Sequence, residues 1–283
     1  MTRIAYLGPE GSFSEEAARG YAGEGAELVG FPDIPAVISA VGHSLVDLAV
    51  VPIENSIEGS INVTLDQLIH GKNPPRISGE LNLPIRHHLI GRPGTTIGDV
   101  ERVVSVPAAI AQCRQFLLEH LPQVQVLPAL STSAAVSSLV HSDRIAAVGN
   151  DRAARLYGME IIASDIQDAD DNVTRFAILG RGMTAATGHD KTSVCCSIAE
   201  DSDKPGSLVA ILGEFAGRDI NLSKLESRPT RGGLGKYFFL IDLMGHESDP
   251  VVAEALAGLR LKCSSVVVLG SYPASAESDQ PQP

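Results

Sequence analysis

This chain of 283 residues is short of cations, of patterned cysteines and of long apolar runs, and each shortage removes a class of function. Twenty-two lysines and arginines face 34 aspartates and glutamates, a formal net charge of −12, the wrong sign for a protein that gains affinity by neutralising nucleic-acid phosphates. No nucleic-acid partner is expected. Cys113, Cys195, Cys196 and Cys263 show no C-x-x-C spacing, and the side chains of Cys195 and Cys196 would leave a strand on opposite faces. Neither a disulfide framework nor a zinc site is indicated, and no metal is expected. The apolar segment SLVDLAVVPI (44–53) is of strand length and carries Asp47, where a membrane helix needs roughly 20 apolar residues. The first strand-like run reaches Gly8-Pro9 too soon for a secretory signal. A cytoplasmic protein without membrane contact is the expectation.

At about 150 residues per domain the length predicts two domains. Up to residue 180, short β-branched runs alternate with segments of helical period, the signature of an α/β fold on a mostly parallel sheet. Strands are predicted at 3–7, 48–52, 83–91, 103–106, 124–127, 145–148 and 174–179, and helices at 14–21, 34–41, 64–70, 107–120, 133–141 and 151–156. Within 107–120, Ile110, Cys113, Leu117 and Leu121 share one helical face and Gln112 lies away from it. The first domain is read as 1–181 and a periodless linker as 182–191. Residues 192–272 then run strand, helix, strand, Gly-rich turn (231–235), strand, helix, strand. That is the ferredoxin-like βαββαβ order, with an antiparallel sheet and both helices on one face. The Pro-, Ser- and Gln-rich tail, 273–283, reads as disordered.

Three segments of the first domain share a design in which a strand ends, small hydroxyl residues follow and a helix begins. They are Gly8-Pro-Glu-Gly-Ser-Phe-Ser14, Pro52-Ile-Glu-Asn-Ser-Ile-Glu-Gly-Ser60 and Ser131-Thr-Ser133. Ser12 with Glu15 fits the S-x-x-E capping box, and any one loop alone reads as a cap of about 1 kcal/mol. Together they read as a cleft for a small anion, because helix N-termini carry about half a positive charge and gather at the carboxyl ends of strands in open α/β sheets. Arg175, at a strand start, offers a planar fork able to clamp a carboxylate, against the plainer reading of a surface arginine. Glu54 and Asn55 read either as a polar pair in that cleft or as a turn. His87-His88 has no second metal ligand in sequence reach, so no metal is read there either.

Gly8-Pro-Glu-Gly-Ser-Phe-Ser14, Val51-Pro-Ile-Glu-Asn-Ser56 with Gly59, Ala146-Ala-Val-Gly149 with Tyr157-Gly158, and Asn172-x-Thr-Arg-Phe176 closely resemble the motifs of prephenate dehydratases, in the family's order. Gly206-Ser-Leu-Val209, Ile220-Asn-Leu222 and Glu226-Ser-Arg-Pro229 resemble those of the family's ACT regulatory domain. The resemblance implies two α/β lobes around a cleft, similar to type II periplasmic binding proteins, with strand 174–179 returning to the first lobe. It implies a monofunctional enzyme, without a fused chorismate mutase domain, that strips carbon dioxide and the ring hydroxyl from prephenate to give phenylpyruvate in L-phenylalanine biosynthesis. No cofactor is implied. By the same resemblance Thr174 is the hydrogen-bond donor to the departing oxygen and Arg175 the carboxylate anchor, with Glu54 the candidate proton source. Ser12, Asn55, Ser105, Gln112, Ser131, Thr132 and Phe176 are the expected substrate-binding residues. Val106 and Ala108 stand where many relatives show His and Gln, and Leu130 where an acid is usual; these departures are expected to bear on substrate affinity.

A βαββαβ domain with exposed edges commonly pairs with another copy, so a homodimer or homotetramer is expected. The Asn221-Leu222 turn, read as facing the N-terminus of the Gly206 helix, makes a notch for an amino acid. The resemblance makes that ligand L-phenylalanine, a feedback inhibitor bound between subunits at Gly206, Ser207, Leu208, Val209, Asn221, Leu222, Glu226, Ser227, Arg228 and Pro229. A domain that only dimerises is the plainer alternative. For the whole chain, the alternatives are arogenate as substrate, or a non-catalytic anion or amino-acid sensor on the same fold.

Overall fold

The computed structural model describes residues 1–23, 25–141, 143–198, 204–229 and 237–275. The first lobe is laid down by β1 (Arg3–Leu7), α1 (Phe13–Ala22), β2 (Glu27–Phe31), α2 (Ile34–Gly42), β3 (Leu48–Asn55), β4 (Gly59–Ser60), α3 (Asn62–His70) and β5 (Arg76–Pro84). The second follows with β6 (His88–Gly91), β7 (Arg102–Ser105), α4 (Pro107–Ala111), α5 (Arg114–His120), β8 (Gln125–Pro128), α6 (Thr132–Ser137), β9 (Ile145–Gly149), α7 (Asp151–Tyr157) and β10 (Glu160–Ala163). The chain then returns as β11 (Val173–Gly180), giving a first sheet of order β2-β1-β3-β11-β5, with β4 on β3, and a second of order β10-β6-β9-β7-β8. Ala49, Val50, Val51, Val103, Ala146, Ala147 and Val148 are fully or almost fully buried, the near-continuous apolar runs that strands covered on both faces require.

Where expectation and structure part, the backbone supplies the reason. The strand expected over 83–91 is two strands in different sheets, and the chain crosses between lobes at residues 85–87. There Ile85 N donates to Asn172 O and His87 N to Gln167 Oε1 at 2.9 Å, in place of a sheet ladder. The helix expected over 107–120 is broken at Gln112-Cys113, because the Gln112 carbonyl takes the Asp168 amide at 2.7 Å while the Asp168 carboxylate caps Gln115 N at 3.0 Å. Cys113, Leu117 and Leu121 still pack into one core, with Ile110 against it. The helix expected over 133–141 is α6 followed by a 3₁₀ turn, Ser138–His141. β2 and β10 were not foreseen; both are edge strands with half-exposed residues and lack the apolar run that marks a central strand. Both sheets are mixed: β4 pairs antiparallel with β3 in the first, and β6 pairs antiparallel with β9 and β10 in the second.

The C-terminal elements are β12 (Asp190–Ser197), α8 (Ser207–Ala216), β13 (Leu222–Pro229), β14 (Tyr237–Met244), α9 (Pro250–Lys262) and β15 (Ser265–Pro273). Their antiparallel sheet has order β13-β14-β12-β15, the ferredoxin-like arrangement. Ile211 and Phe215 of α8 and Val252, Ala255, Leu256 and Leu259 of α9 share one core with Val194, Cys196, Ile241 and Leu243, so both helices cover one face. The Gly-rich turn at 231–235 and the tail beyond residue 275 lie outside the described residues.

Compactness divides the chain differently from the linear expectation of 1–181 and 192–272. One unit is Met1–Thr64 with Asn82–Phe176; the other is Leu65–Leu81 with Ala177–Pro283. The segment Leu65–Leu81 is built into the second unit by specific contacts. Gly270 passes so close to Ile77 that a Cβ would lie 2.1 Å from its carbonyl oxygen. Glu80, 1% exposed, is ion-paired with Lys191 at 2.7 Å, Arg228 reaches Asp66 at 3.1 Å, Arg76 pairs with Glu247, and the His70 ring lies 5.2 Å from that of Phe238.

Within the first unit one buried carboxylate ties α1 to α7. The Glu15 side chain is 0% exposed and accepts from Arg19 Nε at 2.6 Å, Arg152 Nη2 at 2.9 Å and the Gly11 amide. Burial pushes its carboxyl up, yet the bonds from Arg152, Gly11 and Arg19 outweigh this and hold it below the usual carboxylate range. A depressed value means that the stabilisation is complete above the unfolded-state pKa of about 4.3 and is lost as pH falls through the lower folded-state value. Glu15→Ala should destabilise by about 3 kcal/mol, the low end for a broken buried pair because both arginines keep access to water. It should also flatten the acid limb of the stability curve. Melting temperatures measured from pH 7 downward check this, and an acid limb as steep as the wild type's would remove Glu15 from the account.

Candidate active site

The end of β3 and the start of β11 lie side by side, which joins residues far apart in sequence. Asn55 Nδ2 donates to Thr174 Oγ1 at 3.0 Å and to Asn172 Oδ1 at 2.7 Å, while Ser56 N donates to Val173 O at 2.9 Å. Asn55 is held in turn through its own carbonyl oxygen, which accepts the amides of Ile57 at 3.0 Å and Glu58 at 2.9 Å. The segment 52–60 is therefore a hairpin, β3 turning into β4, and not the strand-to-helix loop expected; its turn is shaped by the asparagine itself.

Successive side chains leave a strand on opposite faces, so Asn55 and Thr174 share one face and Glu54 and Arg175 the other. Arg175 Nη1 lies 3.3 Å from Glu54 Oε2, with side chains 14% and 33% exposed. The expected constellation of Thr174, Arg175 and Glu54 around one ligand thus separates into a buried amide–hydroxyl face and an ion-paired face. Phe176 follows Thr174 on the same face, but at 2% exposure it belongs to the core and offers no surface to a ligand.

The buried face extends across the lobes. Asn172 Nδ2 donates to Gln112 Oε1 at 2.9 Å, His87 Nε2 stands 3.0 Å from the same oxygen, and Gln112 Nε2 reaches Glu58 Oε1 at 3.3 Å. Asn55, Asn172, Thr174 and His87 are 8%, 1%, 9% and 3% exposed. Gln112, read from sequence as pointing away from its helix's apolar face, does so and enters this network where the helix breaks. Sequence reasoning missed His87, Asn172 and Glu58. A histidine that follows Pro84 at the crossover between lobes was the available signal for His87, and the search for metal ligands passed over it.

The other expected substrate-binding residues make hydrogen bonds within their own lobes or stand at helix starts. Ser12 caps α1, accepting Glu15 N at 3.2 Å and donating to Leu7 O at 3.1 Å. Ser131 caps α6, accepting Ala134 N at 2.9 Å, and Thr132 opens that helix. Ser105 is 1% exposed and donates to Val148 O at 2.7 Å, within the second sheet. Of the departures from the family pattern, Leu130 is fully exposed and Val106 precedes α4 without capping it. The expected convergence of α1 and α6 is real: Ser133 Oγ donates to Glu10 O, and Asn150, the cap of α7, donates to Glu16 Oε2 at 3.0 Å.

In the C-terminal unit, Gly206 and Asn221 sit beyond opposite ends of α8. Its ten residues span about 15 Å, so the notch expected between them does not form within one chain. Val209 is 71% exposed, and Glu226 to Pro229 lie on β13, the outermost strand of the sheet. Among the described residues no helix is long and apolar enough to cross a membrane.

A family model described as prephenate dehydratase matches residues 4–184, well over half of the chain. The chain belongs to the prephenate dehydratase family. An ACT domain model matches residues 202–260. The prephenate dehydratase of Mycolicibacterium vanbaalenii is 41% identical over 289 aligned residues, covering 96% of this chain and 91% of the relative. The crystal structure of a prephenate dehydratase from Arthrobacter aurescens, in complex with L-Phe, superposes with a TM-score of 0.88 at 38% identity, over 99% of this chain and 92% of that one. GqqA, described as a novel type of quorum quenching acylase, superposes with a TM-score of 0.84 at 29% identity, over 96% of this chain and 98% of its own. The fold is therefore that of the family, and the chain is an enzyme of its class, a decarboxylating carbon–oxygen lyase.

The loop that carries the family's Gly-Pro-Glu-Gly-Ser motif brings its backbone close to the second lobe. Gly11 has φ +78°, and a Cβ there would lie 2.8 Å from Ser133 Oγ and 3.2 Å from Ala153 Cα. Gly11→Ala should cost about 1–2 kcal/mol for the left-handed backbone alone, with the clash added. Urea unfolding measures this, and an unchanged midpoint would mean that the lobes do not meet at Gly11.

Proposed function

We propose that this enzyme converts prephenate to phenylpyruvate, water and carbon dioxide with Thr174 as the donor to the departing oxygen, and that L-phenylalanine regulates it through the ACT domain. The bond from Asn55 to Thr174 carries the first part. The electrons of the breaking C–CO₂ bond move into the ring and expel the hydroxyl on its far side, so the ring becomes aromatic and one proton from solvent completes the water. The catalyst's task is to stabilise charge on the leaving oxygen. An Asn55 N–H already occupies a lone pair of Thr174 Oγ1, which leaves the hydroxyl proton available to an incoming acceptor and polarises it. A donor preorganised in this way, in a site shielded from water, is worth far more than the same hydroxyl in solution. Arg175 is satisfied by Glu54 on the opposite face of the strands. In this reading it sets the register of β11 against β3, and the substrate's carboxylates meet amides and amide side chains instead.

For L-phenylalanine the support is the ACT match together with the separation of Gly206 and Asn221 along α8. Groups about 15 Å apart in one chain come together only when two copies associate, so the ligand would bridge the Gly206–Val209 segment of one copy and the Asn221-Leu222 segment of another. Val209, exposed beside that segment, and the free edge of β13 supply the contact surface.

Thr174→Val should lower kcat by about 10²- to 10⁴-fold, the usual value of a positioned donor, with KM little changed, in an assay offering prephenate and arogenate in parallel. Turnover near the wild type's would remove Thr174 from the mechanism, and turnover of arogenate alone would replace the substrate. For the regulatory site, Val209→Asp and Asn221→Ala should each abolish calorimetric binding of L-phenylalanine. An equimolar mixture, in which the mixed dimer rebuilds one intact site, should recover part of it. Failure of the mixture to recover binding would place the ligand within a single chain.

A further inference from the structure

His87 is 3% exposed, and its two ring nitrogens are treated unequally. Nε2 lies 3.0 Å from Gln112 Oε1, whereas Nδ1 is buried with no hydrogen-bond partner. A histidine kept only for packing has both nitrogens paired or wet, because an orphaned buried acceptor costs about 1–3 kcal/mol. We propose that His87 is a positioning residue for the elimination: its Nε2–H fixes a directed relay of amides that ends on the Thr174 hydroxyl. The inference rests on the function proposed above.

The direction follows from donor and acceptor inventory. At one end the backbone amides of Ile57 and Glu58 both donate to Asn55 Oδ1, which forces Asn55 Nδ2 toward Asn172 Oδ1 and Thr174 Oγ1. Asn172 then has only its Nδ2 to offer Gln112, so Gln112 presents Oε1 and turns its own Nε2 to Glu58 Oε1. An oxygen facing His87 Nε2 can only accept, which makes Nε2 the protonated nitrogen and leaves Nδ1 bare. Burial, which lowers the imidazole's pKa, keeps the ring neutral and the tautomer unambiguous. The Phe13 ring, edge-on at 5.6 Å and 85°, limits rotation of the imidazole. The chain of bonds is thereby fixed at both ends, and Gln112 and Asn172 can be flipped only by breaking several bonds together. Without the His87 donor, Gln112 loses a bond that opposes its rotation, and the Asn172 amide against which Asn55 Nδ2 is held beside the Thr174 hydroxyl gains alternatives.

The test uses the full-length enzyme with prephenate. Glutamine places an N–H near the position of Nε2, and asparagine places one near Nδ1, so His87→Gln should stay within about threefold of wild-type kcat. His87→Asn and His87→Leu should lose about 10- to 100-fold in kcat, the scale of a small misplacement of a catalytic group, with KM within about threefold and wild-type melting temperatures. In the Thr174→Val background, His87→Asn should cause no further loss, because both changes remove the same function. Equal losses in the Gln and Asn variants, a loss confined to KM, or additive losses with Thr174→Val would each overturn the proposal. Should the His87 variants fail to fold, Gln112→Leu carries the same loss in kcat and the same non-additivity with Thr174→Val, its KM being free to rise because Gln112 is itself among the expected substrate-binding residues. A wild-type enzyme inactive on prephenate would overturn the functional reading itself, whereas an active wild type with normal kcat in His87→Leu would overturn only the role of His87.

Discussion

The hydrogen bond from Asn55 to Thr174 joins the last residue of β3 to the second residue of β11, 119 positions away. Between them the chain builds the whole second lobe and returns. The bond therefore exists only once β11 has found its place beside β3, and the geometry of the hydroxyl is as good as that long-range closure. Long-range strand pairing is costly to establish, since the intervening loop must be closed first. Once made, it is locked by local bonds on either side: Ser56 N to Val173 O, and Ser56 Oγ to Asp171 O at 3.0 Å. The same pairing sets which residues share a face, and so separates the Thr174 hydroxyl from the Arg175 guanidinium.

The electrostatics of the molecule are those of an acidic chain that commits its few cations to specific carboxylates. Arg19 and Arg152 meet on Glu15, Arg175 is on Glu54, Arg228 on Asp66 and Lys191 on Glu80. These partly buried pairs specify which elements lie together more than they stabilise, because desolvation offsets much of the attraction. The side-chain amides of Asn55, Gln112 and Asn172 carry no net charge and are oriented by one another and by Glu58.

Much of the fold was legible because its central strands are continuous apolar runs and its second domain repeats a familiar order of elements. β2 and β10 escaped because an edge strand needs neither a long apolar run nor strict alternation. The break at Gln112-Cys113 was illegible for a different reason: the residue that causes it, Asp168, lies more than fifty positions downstream. The candidate site follows the same rule. Thr174 and Asn55 could be named from motifs, yet which side of the sheet each faces depends on register. His87 had no local pattern to announce it, because its role comes from a buried network of residues drawn from four separate stretches of chain. Adjacency alone could not show that Arg175 and Thr174 leave β11 on opposite faces, with Arg175 3.3 Å from Glu54.

The insertion of Leu65–Leu81 among the C-terminal elements means that the ACT match at 202–260 is not a detachable module. A graft of that segment alone would leave behind β12 and β15, and with them the pairing of Lys191 with Glu80 and the close approach of Gly270 to Ile77. A recombination event that moved the C-terminal unit intact would have to carry residues 65–81, most of α3 and β5, along with it from the middle of the first domain.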